Sequence, residues 1–168
     1  MISFLSGEIR NIFTEKSILE INVAGVGYEV VLPSFVMDDL VNEGKKSGEN
    51  IILEIYYHST ERSPKPLLVG FNNQIEKIFF EKIIQVEGVG PLKAVSALIF
   101  PVAIVSQAIE NEDLTILNQM PGIGARAAQK MIATLKGKLI DIISKSRSAN
   151  VKESADYLRS EEHTSELQ

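Results

Sequence analysis

The feature that most constrains this chain is a Gly-x-Gly turn that occurs twice. The first turn, residues 86–91, reads Val-Glu-Gly-Val-Gly-Pro, and the second turn, residues 120–125, reads Met-Pro-Gly-Ile-Gly-Ala. Gly88 matches Gly122 and Gly90 matches Gly124, so the two glycine pairs have the same offset along the chain. An apolar helical pattern precedes each turn, and another begins directly after it. We therefore predict a helical unit built from two facing helix–turn–helix copies, related by a pseudo-two-fold axis.

The two turns have the properties of anion sites. Glycine permits a sharp turn and close approach of another molecule to the backbone. The helix that follows directs unpaired N–H groups and the positive end of its dipole outward. Either turn alone is equally typical of a purely structural motif, but two copies in register favour phosphate binding. Two such sites on one rigid unit suggest a reader of phosphates along a nucleic-acid backbone. The predicted DNA-phosphate ligands are Gly88, Val89, Gly90, Lys93, Gly122, Ile123, Gly124, Arg126 and Lys130. The alternative for each cation near a turn is a solvated surface charge without a role in binding.

Charge is distributed unevenly along the chain, whose net charge is −5. Residues 70–146 hold 8 basic and 7 acidic residues, whereas residues 1–69 hold 6 and 10, and residues 147–168 hold 3 and 5. Only the region of the turns is not acidic. Geometry and helix ends must therefore contribute heavily to any binding of DNA.

The pattern of apolar residues divides the chain into an α+β, multidomain arrangement. Residues 1–71 alternate apolar and polar positions in five short segments, which predicts a five-stranded OB-fold β-barrel with one short helix. Residues 72–145 have helical periodicity and predict an all-α tandem helix-hairpin-helix domain of five helices, the last running from Ala125 to about Ser144. Residues 146–168 predict a linker and an incomplete tail. The segment 160–168 resembles translated adaptor sequence, and we expect it not to be native.

No constellation of residues predicts catalysis. The two histidines, His58 and His163, lie in different regions, and neither a metal-ligand cluster nor a P-loop is present in the sequence. The absence of cysteine excludes disulfides and thiolate chemistry. Neither a secretory signal nor an apolar run of membrane-spanning length is visible. We expect a cytoplasmic, non-catalytic protein without metal or cofactor.

The order of motifs resembles the RuvA family. The chain begins Met1-Ile2 and continues with Val-Ala-Gly-Val-Gly-Tyr-Glu-Val at 23–30, Leu-Val-Gly-Phe at 68–71, and the two turns. The resemblance covers about residues 1–145. It implies a homotetramer, with an octamer left open, in which the barrel drives assembly and the helical motifs grip the minor-groove backbone. Such a tetramer holds a four-way (Holliday) junction open and planar for branch migration by a RuvB-type motor ATPase, in recombination and DNA repair. A RuvC-type resolvase is the further partner implied.

The basic residues after the turns depart from the family pattern. The family has two consecutive basic residues after the second glycine pair, where this chain has Ala125-Arg126, with Lys130 as a later cation. Leu92 stands where the family has a lysine directly after the proline, and Lys93 follows one position later. Since a helix turns by ~100° per residue, Lys93 is expected to point in a different direction.

Two further departures concern the barrel loop and the tail. The family's acidic pin, paired carboxylates at the junction centre, should lie on the hairpin of residues 59–66. Only Glu61 is acidic there, beside Arg62 and Lys65, so we expect weaker repulsion of phosphates. The segment that follows the linker is short for the domain that recruits the motor, and coupling to the motor is expected to be impaired.

Two other functions fit parts of the sequence. A base-excision DNA glycosylase also uses a Pro-Gly-x-Gly helix-hairpin-helix, but its bifunctional members have a nucleophilic lysine where Arg126 stands, and arginine cannot be deprotonated. Asp141 only loosely matches the position of a catalytic aspartate. A generic duplex-binding helix-hairpin-helix module, with the barrel serving protein contacts, remains the second alternative.

Overall fold

The computed structural model describes residues 1–148. Its first part is a closed five-stranded barrel in which the strands are ordered β1-β2-β3-β5-β4. A single helix, α1 (Ser34–Asn42), connects β3 to β4. This is the predicted OB-fold barrel, followed by the predicted helices, so the fold class is confirmed. The strands are β1 (Phe4–Phe13), β2 (Ile18–Val23), β3 (Val26–Val31), β4 (Asn50–Thr60) and β5 (Ser63–Phe71).

Alternating side chains fill the barrel because successive residues of a strand point to opposite faces. Leu19 and Ile21 of β2 are fully buried, and so is Val30 of β3. The barrel closes tightly around Gly70, where an added Cβ would lie 2.7 Å from a methyl of Val30 and 2.8 Å from one of Leu32. The closing contact is a parallel pairing of Val31 with Val69, and the other strand pairs are antiparallel.

Strands β4 and β5 continue beyond the barrel as a two-stranded ribbon. Pairing between β1 and β4 ends at Glu54, while β4 and β5 stay paired out to Thr60 and Ser63. A two-residue turn, Glu61 and Arg62, closes the ribbon, and both residues are exposed. The hairpin tip is thus shorter than predicted, because most of the 59–66 segment belongs to the paired strands.

Six helical segments follow the barrel in the described part of the chain. The prediction of one last helix from Ala125 to about Ser144 is wrong, because the chain turns at Gly137, which has a φ of +84°. The helical unit therefore contains one more helix than the five predicted. Its members are α2 (Gln74–Ile83), α3 (Pro91–Ala97), α4 (Val102–Glu110), α5 (Leu114–Leu117), α6 (Ala125–Leu135) and α7 (residues 140–148).

A polar network fixes the start of α2 against the barrel. Asn73 accepts a hydrogen bond from the Glu76 N–H at 3.0 Å, and the Glu76 carboxylate accepts one from the Asn72 N–H at 2.9 Å. This reciprocal pairing resembles a capping box. The Asn72 side chain also donates to Asp39 of α1 at 3.0 Å, which ties the helical unit to the barrel. Burial raises the pKa of Glu76 to about 7, although the hydrogen bonds from Asn72 lower it.

The helices are short. No single helix within residues 1–148 is long and apolar enough to cross a membrane, and α3 and α4, which together have that length and composition, meet at a bend of 99°. The predicted domain ends at residues 71 and 145 stay a prediction, and the linker and tail lie mostly outside the described residues. The switch from strand to helix does fall between Phe71 and Gln74.

Candidate nucleic-acid interface

The first and second turns have the same backbone hydrogen bonds. In each, the residue between the glycines donates to the carbonyl three positions earlier, and the second glycine's carbonyl accepts the first hydrogen bond of the next helix. The distances are equal in the two copies. The pairs are Val89 N to Val86 O and Ile123 N to Met120 O, both 3.0 Å, and Ala94 N to Gly90 O and Ala128 N to Gly124 O, both 2.9 Å.

The glycines leave the backbone of both turns open. Gly88 and Gly122 have φ angles of +83° and +75°, a conformation that glycine adopts without strain. Gly90 and Gly124 are the N-caps of α3 and α6, and neither helix has a capping side chain. A Cβ on Gly90 or Gly124 would meet no atom of a described residue within 4 Å, apart from its chain neighbours. Helix-terminal N–H groups are therefore accessible at both turns, as an anion site requires.

Val89 and Ile123, the central residues of the two turns, contact the protein core, unlike the exposed glycines on either side of them. Their side chains are buried, with 2% and 3% exposure, and their N–H groups are used within the turn. Each side chain thus fixes the turn to the core while the glycines on either side face solvent. Their predicted role as phosphate ligands stays a prediction.

The three predicted cations occupy different surroundings. Arg126 is exposed on the first turn of α6 and forms no ion pair with another described residue. Lys93 is half-buried, and its Cε and Cγ lie 3.7 and 3.8 Å from the position of a Cβ on Gly122, in the other copy. Lys130 Nζ lies 3.5 Å from a carboxylate oxygen of Glu87, beside the first turn.

A third turn of the same geometry, residues 135–139, lies between α6 and α7. Lys138 N donates to Leu135 O at 2.9 Å, and Ile143 N to Leu139 O at 3.0 Å, the same two bonds found in the other turns. Gly137 has the positive φ of Gly88 and Gly122. Here, however, the Glu110 carboxylate accepts hydrogen bonds from Gly137 N at 2.8 Å and Leu139 N at 3.3 Å. The third turn is filled by the protein's own anion.

Sequence reasoning missed the third turn and Glu110. The available signal was Gly137 followed by a renewed apolar pattern. Leu139 replaces the second glycine, however, and the third turn follows the second more closely than the second follows the first, so the regular offset is lost. Sequence reasoning also missed that Lys93 lies against the opposite copy and that Glu87 holds Lys130.

The barrel contributes the tip of the β4–β5 ribbon. Glu61, the predicted pin, is exposed at that tip beside Arg62. Lys65 Nζ lies 3.6 Å from Glu29, so one of the neighbouring cations is directed to the barrel. Below the ribbon a cleft of about 630 Å³ separates β5 from the start of α3, with Lys65, Leu68 and Leu92 among its lining residues.

Comparison with known proteins gives a consistent answer. The RuvA N terminal domain family matches residues 1–65. A Holliday junction branch migration complex subunit RuvA from Desulfosudis oleivorans is 48% identical over 140 residues, which cover 83% of this chain and 66% of the relative. The subunit from Oceanobacillus iheyensis is 36% identical over 146 residues, covering 86% of this chain and 68% of the relative. The chain belongs to the RuvA family.

The similarity to RuvA proteins extends past the barrel. The corresponding subunit from Desulfatibacillum aliphaticivorans is also 48% identical, over 139 residues. An alignment of this length cannot be confined to the barrel, which ends at Phe71. The chain spans 66% of the length of the first two RuvA relatives, just under two thirds.

Within the described residues, the candidate interface offers groups that can bind an anion. No group of three or more His, Cys, Asp or Glu side chains there is arranged to hold a metal ion. What the turns present is a pair of accessible amide clusters with cations beside them. Such an arrangement can bind phosphates through hydrogen bonds and charge.

Proposed function

We propose that this chain binds four-way DNA junctions as a homotetramer and holds them open and planar for branch migration. The observation that carries the proposal is the pair of open turns with matching hydrogen bonds, in a chain of the RuvA family. Two phosphate sites at fixed separation on one rigid unit suit two strands of one duplex arm. Each subunit of the tetramer would hold one arm.

The phosphate ligands would be the main-chain groups of the two turns and the cations near them. Gly88, Gly90, Gly122 and Gly124 bring the backbone within reach of a phosphate, and Val89 and Ile123 hold the turns in shape. Backbone contacts of this type fix position and carry no sequence preference. This agrees with a protein that recognises the shape of a junction. The added cations are Lys93, Arg126 and Lys130.

Assembly would come from the barrel. Phe4 of β1 and Ile52 of β4 remain 59% and 64% exposed although both are large apolar residues on adjacent strands. Exposed apolar surface of this type is typical of subunit contacts. We propose that this face lies between subunits, and that tetramer or octamer formation depends on it.

Glu61 would mark the junction centre. It lies at the tip of the ribbon, the part of the barrel that extends furthest along β4 and β5 beyond their pairing with β1. One carboxylate beside Arg62 would repel phosphates less than a pair of carboxylates. The ribbon would therefore separate strands chiefly by its bulk.

The partners are proposed from the resemblance to the RuvA family. These are subunits of a branch migration complex, and we propose a RuvB-type motor ATPase as partner of this chain, with a RuvC-type resolvase acting on the same junction. The protein itself would be the non-catalytic, DNA-binding subunit, acting in the cytoplasm without a cofactor.

The competing proposal is a generic duplex-binding module. It would use the same turns but would not need the barrel for recognition. A glycosylase activity is disfavoured because the exposed cation at the start of α6 is Arg126, which cannot act as a nucleophile.

The deciding experiment compares affinity for a four-way junction with affinity for a linear duplex of the same length, at fixed salt. Light scattering on the same samples gives the oligomeric state. We expect a tetramer that prefers the junction by at least about 100-fold, because four subunits engage four arms at once. Equal affinity for both DNAs would contradict junction recognition and favour the generic module.

A further inference from the structure

Two lysine side chains, Lys93 and Lys130, cross from one helix–turn–helix copy to the other. Lys93 belongs to α3, the helix that follows the first turn, yet its side-chain carbons lie 3.7 and 3.8 Å from the Cβ position of Gly122 in the second turn. Apart from the glycine's chain neighbours, no other atom of a described residue comes within 4 Å of that position. The stem of Lys93 thus covers part of the second turn, and its ammonium group forms no ion pair within residues 1–148.

Lys130 makes the opposite crossing. It belongs to α6, the helix that follows the second turn, and its Nζ lies 3.5 Å from Glu87, which immediately precedes Gly88 in the first turn. The exposed fractions are 42% for the Lys130 side chain and 89% for that of Glu87. Two crossings in opposite directions agree with copies that face each other.

Glu87 makes the two turns unequal. Proline occupies the equivalent position 121, so the second turn has no carboxylate at this position. An exposed ion pair of this kind is worth at most about 1 kcal/mol. A phosphate at the first turn can therefore take Lys130 away from Glu87 at little cost.

We propose that each turn uses a cation from the other copy: Lys93 serves a phosphate at the second turn, and Lys130 serves one at the first turn in competition with Glu87. Arg126, in contrast, serves the turn from which its own helix starts. This assignment rests on the proposed binding of DNA phosphates by the turns. The consequence is that neither copy is a complete phosphate site without the other.

The test blocks one turn at a time and measures which cation then no longer contributes to DNA affinity. Gly90→Val blocks the first turn and Gly124→Val the second. Both glycines have ordinary φ angles, −82° and −86°, and an added Cβ has open space around it, so the fold should tolerate both changes. Lys130→Ala and Arg126→Ala are then combined with each block. These two cations lie on the same helix, which makes Arg126 a matched control.

We expect opposite results for the two cations. With the second turn blocked, Lys130→Ala should weaken binding to a linear duplex at low salt by roughly fivefold and lower the salt slope, whereas Arg126→Ala should change little. With the first turn blocked, Arg126→Ala should have the effect and Lys130→Ala none. Lys93→Ala should behave like Arg126→Ala. If Lys130 follows Arg126, or costs the same in both backgrounds, the crossed assignment is wrong.

Glu87→Gln gives the second readout. It should raise affinity about threefold when only the first turn is active and leave it unchanged when only the second turn is active. No change in either background would remove Glu87 from the assignment. Failure of the proposed function is recognised separately, because the unmodified chain would then bind no DNA or would bind junction and duplex equally.

Discussion

The first and third turns share one backbone geometry but differ in what their N–H groups contact. Both are closed by a hydrogen bond to the carbonyl three positions earlier, and both contain a glycine with a positive φ, +83° at Gly88 and +84° at Gly137. In the first turn the N-cap Gly90 is bare to solvent, whereas in the third turn Leu139 takes its place. The Glu110 carboxylate then accepts from Gly137 and Leu139.

The difference shows that the turn alone does not make a binding site. In the third turn the N–H groups of Gly137 and Leu139 donate to Glu110 of α4 and so hold the start of α7 against that helix. The first two turns lack an internal acceptor of this kind among the described residues, so the corresponding N–H groups are open to solvent or, as we propose, to a phosphate. The position of Glu110 also indicates where an anion fits such a turn: between the N–H groups on either side of its central residue.

The largest expected effect comes from blocking both open turns. Gly88→Val combined with Gly122→Val should lower DNA affinity by at least about 100-fold, or roughly 3 kcal/mol, while the tetramer persists. Gly137→Val is the matched control, because its φ imposes the same strain at a turn that is already filled. It should leave DNA affinity unchanged. Loss of the tetramer in the double variant would mean that these glycines matter for folding.

Glu76 is a second carboxylate that accepts a hydrogen bond from a backbone N–H at a helix start, and its contribution to stability can be tested by changing the pH. Its pKa is raised from 4.5 to about 7 in the fold, so folding favours the protonated form. The free energy of unfolding should therefore fall as pH rises through this interval, by on the order of 2 kcal/mol. This is less than the full pKa difference implies, because Glu76 is only partly buried and solvent screens its charge. Urea unfolding at pH 5 and pH 8 measures this, and Glu76→Gln should flatten the difference. If Glu76→Gln leaves the pH dependence of stability unchanged, other groups cause that dependence.

Emptying the third turn should affect stability and not DNA binding. Glu110→Ala leaves Gly137 and Leu139 without their acceptor and should cost about 1–2 kcal/mol in the free energy of unfolding. Glu112→Ala removes the same charge and only the exposed pair with Lys136, so it should cost at most about 0.5 kcal/mol. A clear gain in junction affinity for Glu110→Ala over Glu112→Ala would show that the third turn can accept a phosphate.

The smallest effects come from single cations. We expect Arg126→Ala to weaken junction binding by roughly fivefold and Lys93→Ala by roughly threefold, because arginine can bind a phosphate through two N–H groups. Gel-shift titrations at fixed salt give the order. A reversed order would place more of the phosphate contact on the half-buried Lys93.

The barrel and the repeated turns were predictable because local patterns decide them. Alternating apolar residues in short segments define the strands, and the common offset of the glycine pairs identifies equivalent positions without knowledge of their surroundings. Backbone hydrogen bonds then agree between the two turns. In these regions the short-range preference and the final fold coincide.

The end of α6 and the crossed lysines were not predictable in this way. Leu135, Leu139 and Ile142 maintain a helical apolar period across Gly137, and a glycine inside a helix costs only about 1 kcal/mol. The decisive acceptor, Glu110, is 27 residues away in the chain. Likewise, the direction of Lys93 depends on how two helices pack, which a pattern within one helix does not contain.

The single parallel pairing of Val31 with Val69 has a consequence for how the barrel opens. The other junctions between strands in the described residues join five or six residue pairs, so this junction has the fewest hydrogen bonds to break. Amide hydrogen exchange should therefore begin along the β3–β5 seam, at a free energy below that of global unfolding. Since β5 also forms the ribbon that carries Glu61, transient opening of this seam would let the tip change its angle while the rest of the barrel stays folded.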